Sequence, residues 1–255
     1  MKKALKAVSV LAALTMSAGI LSGCGAKDDT LIMGTNAAFV PFEFVTTNGT
    51  IGEFDGVDVV IATKIAEKAG KEVKIEDMEF DGLIAALSSG KVDFIAAGMS
   101  VTEERKQNVD FSTPYYAATQ VMLVPEASAI TCAEDLKDGK SVGVVLGYTG
   151  DTVVTEDLQI PEDKIVRANR AIDITQDVVN GKLDAVVMDK TTGEALAEKT
   201  GLKVVEDAEA FDNEEYAIAV KKGNTELLET INGVLEEMME KGEIEELVEK
   251  YSNAE

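Results

Sequence analysis

The residues best suited to chemistry lie in Ala96 to Arg105, which reads AAGMSVTEER. Arg105 is one of only three arginines in a chain that carries 21 lysines. A guanidinium is a planar fork of donors whose geometry matches a carboxylate. Ser100 adds a hydroxyl, and the small Ala97 and Gly98 let backbone groups approach a ligand closely. Thr102 followed by Glu103 and Glu104 marks a helix start, whose free N–H groups favour an anion. Fork, amides and hydroxyl together would make a carboxylate-binding site. The same spacing also suits a solvated Arg105 paired with Glu103 or Glu104, and the residues alone leave both readings open.

Composition narrows the alternatives. The 255-residue chain contains no histidine and no tryptophan. The commonest general base, a Ser-His-Asp triad and the usual zinc ligand are therefore missing, which argues against a hydrolytic or metal-dependent enzyme and implies no cofactor. No G-x-x-x-x-G-K-[ST] run is present, so ATP hydrolysis has no seat here. A formal net charge of −23 repels phosphates and argues against nucleic acid as a partner.

An arginine at that position must be held by a strand and the helix that follows it. Short apolar runs alternate with helical periods from Leu31 onward. Leu31 to Met33 reads as a strand, and Val57 to Ala69 as a helix ended by Gly70. Val73 to Ile75 is a strand, Phe80 to Leu87 a helix closed by Ser88-Ser89-Gly90, and Val92 to Ile95 a strand. A second set follows, with strands over Ser141 to Val145, Lys164 to Val166, Leu183 to Met188 and Lys203 to Val205. Its helices are expected over Gly150 to Leu158, Ile172 to Val179 and Asp189 to Lys199. An acidic, amphipathic pair closes the chain, Thr225 to Glu240 and Glu243 to Tyr251. Repeated β-α-β units imply mostly parallel sheets covered by helices, in two lobes. Ligands of such sheets sit beyond the carboxyl ends of the strands, which is where AAGMS falls after Val92 to Ile95.

The chain opens differently. Lys2, Lys3 and Lys6 precede the apolar stretch Ala7 to Ile20, the pattern of an export signal. Leu21-Ser22-Gly23-Cys24 then resembles the lipobox of bacterial lipoproteins, which implies removal of residues 1–23 and acylation of Cys24. The alternative is a retained anchor, although the apolar stretch is short for a full span. Removing residues 1–23 deletes three lysines and no acids, so the formal charge moves from −23 to −26. Residues 24–30 read as a tether. The second cysteine, Cys132, is left without a partner and is expected to be a structural free thiol.

Five segments, in order, carry a further resemblance: FVPFEF (39–44), EFDGLIAALSSGKVDFIAAGMSVTEERKQNVDFSTPYY (79–116), VGVVLGYTG (142–150), GKLDAVVMDKTTG (181–193) and EYAIAVKKGN (215–224). Together they resemble the polar amino-acid family of extracellular solute-binding proteins that serve ATP-driven (ABC) importers. The resemblance implies an α/β fold of two lobes, the type II periplasmic-binding-protein clamshell. Its crossing hinge strands are expected near Ala118 to Val124 and Asn213 to Val220. Lobe 1 would comprise 31–120 and 217–255, and lobe 2 would comprise 121–216. It implies a monomer, lipid-anchored on the outer face of the membrane, that captures a free amino acid and hands it to a permease and its ATPase. Two other roles on the same fold are a sensor or receptor domain and a dehydratase acting on cyclic amino-acid precursors.

Site residues follow by position. The resemblance gives the ligand's α-carboxylate to Arg105, with Ser100 and Gly98 assisting and Thr149 adding a contact from lobe 2. Asp189 would take the α-ammonium, and Phe39 and Phe80 would sandwich the ligand's stem. A zwitterion needs one cationic and one anionic pole, each paired when desolvated. Three departures stand out. Gly56-Val57-Asp58-Val59-Val60 keeps only part of the family's Gly-Phe-Asp-Val-Asp, and Tyr148 is bulkier than the usual Thr or Gly. Met188 and Val145-Leu146 offer no polar group for a side-chain amide or charge, which speaks against glutamine and leaves a basic ligand unassigned.

Overall fold

The computed structural model describes residues 29–252. The expected export signal, Cys24 and most of the expected tether lie outside the described residues. Thr30, expected in the tether, opens the strand Thr30–Thr35.

Two five-stranded sheets are built to one plan. The first runs in the order Glu72–Asp77, Thr30–Thr35, Phe94–Ile95, Ala219–Lys221, Val109–Phe111. The second runs Ile165–Ala168, Val142–Val145, Ala185–Asp189, Gln120–Val124, Lys203–Val205. In each, three parallel strands come from β-α-β units and the fourth lies antiparallel to both of its neighbours. Ala219–Lys221 enters the first sheet only after the chain has completed the second. Helix Val57–Ala69 matches the apolar period read from the sequence and stops at Gly70, whose N–H donates to the last-turn carbonyls of Ala66 and Glu67. Gly150 to Leu158 is not one regular helix. An α-turn over Thr149–Thr152 widens into a π-turn over Val153–Asp157.

The chain passes between the sheets through a short antiparallel ladder, Tyr116–Ala118 against Glu214–Tyr216. This corrects the expected first hinge strand: Gln120–Val124 is wholly buried and paired on both edges inside the second sheet. Five consecutive buried residues suit a central strand, not an exposed crossover. The expected second crossing strand divides likewise, with Glu214–Tyr216 in the ladder and Ala219–Lys221 in the first sheet. The result is a two-lobed α/β clamshell of type II. Cys132 is a free thiol that caps the short 3-10 turn Ala133–Lys137.

Candidate functional site

Strand ends from both sheets converge on one small cavity. It is lined by Phe80, Gly98, Ser100 and Arg105 from the first lobe, and by Tyr148, Thr149 and Asp189 from the second. Six of the seven ligand-contacting residues expected from the sequence are thus brought together, with Tyr148 added. Each follows the carboxyl end of a strand: Phe80 after Glu72–Asp77, Gly98 after Phe94–Ile95, Tyr148 and Thr149 after Val142–Val145. Asp189 is the last residue of its own strand.

Arg105 does not pair with its neighbours; Lys106 takes Glu103 instead. Thr102 caps the four-residue helix Glu103–Lys106 by accepting the Arg105 N–H at 3.1 Å. The half-buried side chain folds over the Phe80 ring, 5.1 Å from its centroid. Its Nη1 donates to the Ser100 carbonyl at 2.7 Å and its Nη2 to the Gly147 carbonyl, in the other lobe, at 3.0 Å. Two of five N–H groups are used, which leaves three for an anion. Desolvation pulls the guanidinium pKa down, while Glu214 and Asp189 hold it up.

Gly98 can only be glycine. Its φ is +50°, and a Cβ there would lie 2.5 Å from the Phe39 ring. Phe39 itself is 1% exposed and sits behind this turn instead of lining the cavity. The expected aromatic sandwich is filled by Tyr148, whose ring stands 5.4 Å from Phe39 and 4.5 Å from Phe80, both edge-on. Its hydroxyl crosses the cleft to Asn36 Oδ1 at 3.1 Å. Arg170 to Asp77 at 2.7 Å and Thr192 to the Val40 carbonyl at 2.8 Å also join the lobes.

Asp189 is buried and accepts the Tyr216 hydroxyl at 2.6 Å. Burial, reinforced by the negative Glu214, pushes its pKa up to about 7 despite that hydrogen bond. Glu214 was not read from the sequence. Its carboxylate accepts hydrogen bonds from Ser100 Oγ, from Thr149 Oγ1 at 2.7 Å and from Gln120 Nε2 at 2.9 Å. Gln120 also reaches Thr149 Oγ1 at 3.1 Å. An isolated glutamine opening a buried apolar strand was the available signal for Gln120. Glu214, in an acidic run, gave none.

The site therefore offers a cation with spare donors on one lobe and two carboxylates facing it, arranged across a hinge. Residues 31–254 match the bacterial extracellular solute-binding proteins, family 3. The chain belongs to that family. It is 35% identical over 255 residues to the arginine-binding extracellular protein ArtP of Bacillus subtilis, covering 98% of this chain and 97% of the relative. It is 32% identical over 255 residues to a probable histidine-binding protein of Neisseria gonorrhoeae, covering 95% and 94%. Among solved structures, an ancestral arginine-binding protein bound to glutamine superposes with a TM-score of 0.78 at 42% identity, covering 88% of this chain and 97% of that one. These relatives are amino-acid-binding proteins by name, and this member of the family has a solute-binding role. No helix among the described residues is long and apolar enough to cross a membrane.

Proposed function

We propose that this solute-binding protein captures a free polar amino acid between its lobes and delivers it to an ABC permease and its ATPase. The lobes are taken as 31–120 with 217–255 and as 121–216, save that Thr30 goes with lobe 1 and Gln120 with lobe 2, each with the strand it opens. The observation that carries the reading is a single cavity with Arg105 on one wall and Asp189 on the opposite lobe. Arg105 would hold the α-carboxylate, with Ser100, the Gly98 backbone and Thr149 beside it. Asp189 would take the α-ammonium. Because the two poles lie on different lobes, the ligand binds the closed form best and draws the cleft shut by that differential affinity.

A thermal-shift screen over the free amino acids tests this directly, since a ligand that binds only the folded state raises the unfolding temperature. The reading expects a shift from at least one polar amino acid, and none from the same compound as its methyl ester. A screen in which no amino acid shifts the transition would refute it.

The mature protein is taken to begin at Cys24 and to be held, as a monomer, on the outer face of the membrane by acyl chains, two or more being needed for stable anchoring. Cys24→Ser should release it into the soluble fraction. A variant that stays with the membranes would point to a retained apolar anchor.

A further inference from the structure

Behind the ligand turn lie two carboxyl groups that do not line the cavity. Glu43, on the strand Glu43–Val45, and Asp58, in the first turn of helix Val57–Ala69, are both 0% exposed. Asp58 is well supplied: Oδ1 accepts the Tyr115 hydroxyl at 2.7 Å and Oδ2 accepts the Gly98 N–H at 2.9 Å. The start of its helix adds a favourable field for its charge. Glu43 is not supplied. Neither of its oxygens meets a donor. The chain beside it is tied to Asp58, whose N–H donates to the Phe42 carbonyl at 2.9 Å, and the two buried carboxyl groups act on each other.

Two ionised carboxylates have only acceptors to show each other, and burying both without donors is costly. A single proton resolves this. Placed on Glu43, it makes an O–H that donates to Asp58, gives Glu43 a partner and gives Asp58 a third donor.

Resting on the amino-acid-binding reading above, we propose that Glu43 and Asp58 share one proton and act together as positioning residues for the ligand turn. Glu43 holds Asp58, and Asp58 holds the Gly98 N–H. The turn has little freedom to compensate, because Gly98 is at positive φ and pressed against Phe39. The charged groups acting most strongly on Glu43 are Asp58, Asp189 and Asp77, all acids. The phenols of Tyr115 and Tyr148 also feel its charge. Burial and these neighbours push the Glu43 carboxyl well above its ordinary range, and Asp58 is raised to about 6. The hydrogen bond between them favours the proton on Glu43. Losing it would put a second negative charge behind a turn that receives a carboxylate, and would release Asp58.

Two measurements on the mature protein test this, with L-arginine and L-glutamine as probes. Infrared spectra should show a protonated carboxyl band at about pH 8, where a fully buried carboxyl can still hold its proton. Glu43→Gln should remove most of that band, leaving only the roughly one-tenth occupancy expected of Asp189 at that pH. In wild type the affinity should fall by about tenfold per pH unit once Glu43 ionises. Glu43→Gln keeps a donor toward Asp58 and cannot ionise, so it should bind as wild type does near neutrality and lack this alkaline limb, while sharing the probe's own titration. A wild-type spectrum with no protonated carboxyl at about pH 8, or a Glu43→Gln profile parallel to wild type, overturns the proposal. If neither probe binds at any pH, the reading of these probes as ligands fails, while the infrared result still decides the shared proton.

Discussion

Arg105→Ala is the substitution that separates a ligand-binding guanidinium from a merely structural one. In the structure this side chain is half-buried over Phe80, spends two donors on the Ser100 and Gly147 carbonyls and keeps the rest for the cavity. Its removal leaves the incoming carboxylate to be desolvated with no cation, beside the existing charges of Asp189 and Glu214. Breaking a buried pair from one side costs about 3–5 kcal/mol. At about 1.4 kcal/mol per tenfold, affinity should drop on the order of 10²- to 10⁴-fold. Arg105→Lys keeps the charge but gives up the two-point fork, and should recover part of the loss, ending about 5- to 30-fold weaker than wild type. Lys68→Ala controls for net charge: Lys68 pairs with Glu237 on the surface, 2.5 Å away, and should leave affinity unchanged. Titration calorimetry with the amino acid found in the thermal screen reads all three. Arg105→Ala binding within about threefold of wild type would refute the assignment, since a loss that small is under 1 kcal/mol.

The pKa of Asp189, about 7 without ligand, should fall when an ammonium group pairs with it. Binding then expels a proton: at pH 6.5 about three-quarters of one, read from calorimetry in buffers of different ionisation enthalpy, with affinity about tenfold weaker at pH 6 than at pH 8. Stability of the ligand-free protein should move the opposite way. A carboxyl whose folded pKa is raised favours the folded state while it is protonated, and that contribution is lost as pH rises through about 6 for Asp58 and about 7 for Asp189. The unfolding temperature should therefore be higher near pH 5 than near pH 7.5, and Asp189→Asn should flatten part of the difference. Gly98→Ala should abolish tight binding, because the new methyl at positive φ forces the Phe39 ring to shift; a crystal structure or an affinity equal to wild type would decide. Tyr148→Phe removes the bond to Asn36 and leaves a buried amide oxygen short of a donor, at a cost of about 1–3 kcal/mol to the closed state. A double-mutant cycle with Asn36→Ala measures that coupling, and zero coupling would show that the contact does not form in solution.

Much of the fold was legible because its helices keep period and punctuation together. Val57–Ala69 was bounded correctly by an apolar stripe and Gly70, and Thr225–Glu240 by its amphipathic pattern. The cavity's first-lobe wall was only half legible: strand, small residues, helix cap and a scarce arginine follow one another closely, but the same spacing suited a solvated Arg105, and the family resemblance chose between the two. What local pattern could not carry was anything fixed by distant partners. Gln120–Val124 reads as a strand wherever it lies, and only its pairing with Ala185–Asp189 and Lys203–Val205 places it inside a sheet instead of at the hinge. Phe39 looked like a wall because an exposed and a buried phenylalanine are spelled alike. Tyr148 was noticed as bulky, but not as the ring that stands between Phe39 and Phe80. Glu43 and Asp58 are 15 positions apart, and nothing in either neighbourhood announces that both are fully buried.

The crossing ladder explains how such a site can sense its ligand. Glu214–Tyr216 is the crossing strand and also the backing for three residues that line the cavity, Asp189, Ser100 and Thr149. Tyr216 donates to Asp189, and Glu214 takes donors from Ser100 in one lobe and Thr149 in the other. The ladder is also stitched to the ligand turn: the Val101 N–H donates to the Glu215 carbonyl at 2.9 Å and the Ala217 N–H to the Met99 carbonyl at 3.1 Å. On the proposed reading, a ligand spanning Arg105 and Asp189 therefore acts on both ends of one stiff connection. Its ammonium competes for the carboxylate that anchors Tyr216, and its carboxylate draws on the hydroxyls that anchor Glu214. Lobe angle and occupancy are coupled through these two side chains, without a relay across the rest of the protein. Glu214→Gln should separate the two: the amide oxygen still accepts from the Ser100 and Thr149 hydroxyls, the new NH2 can donate to Gln120 Oε1 once that amide turns over, and the charge beside Asp189 is gone. The Asp189 transition should move to lower pH, because the second-largest cause of its displacement has been removed. An unchanged proton-release profile in that variant would mean that Glu214 does not share a field with the ligand's ammonium partner.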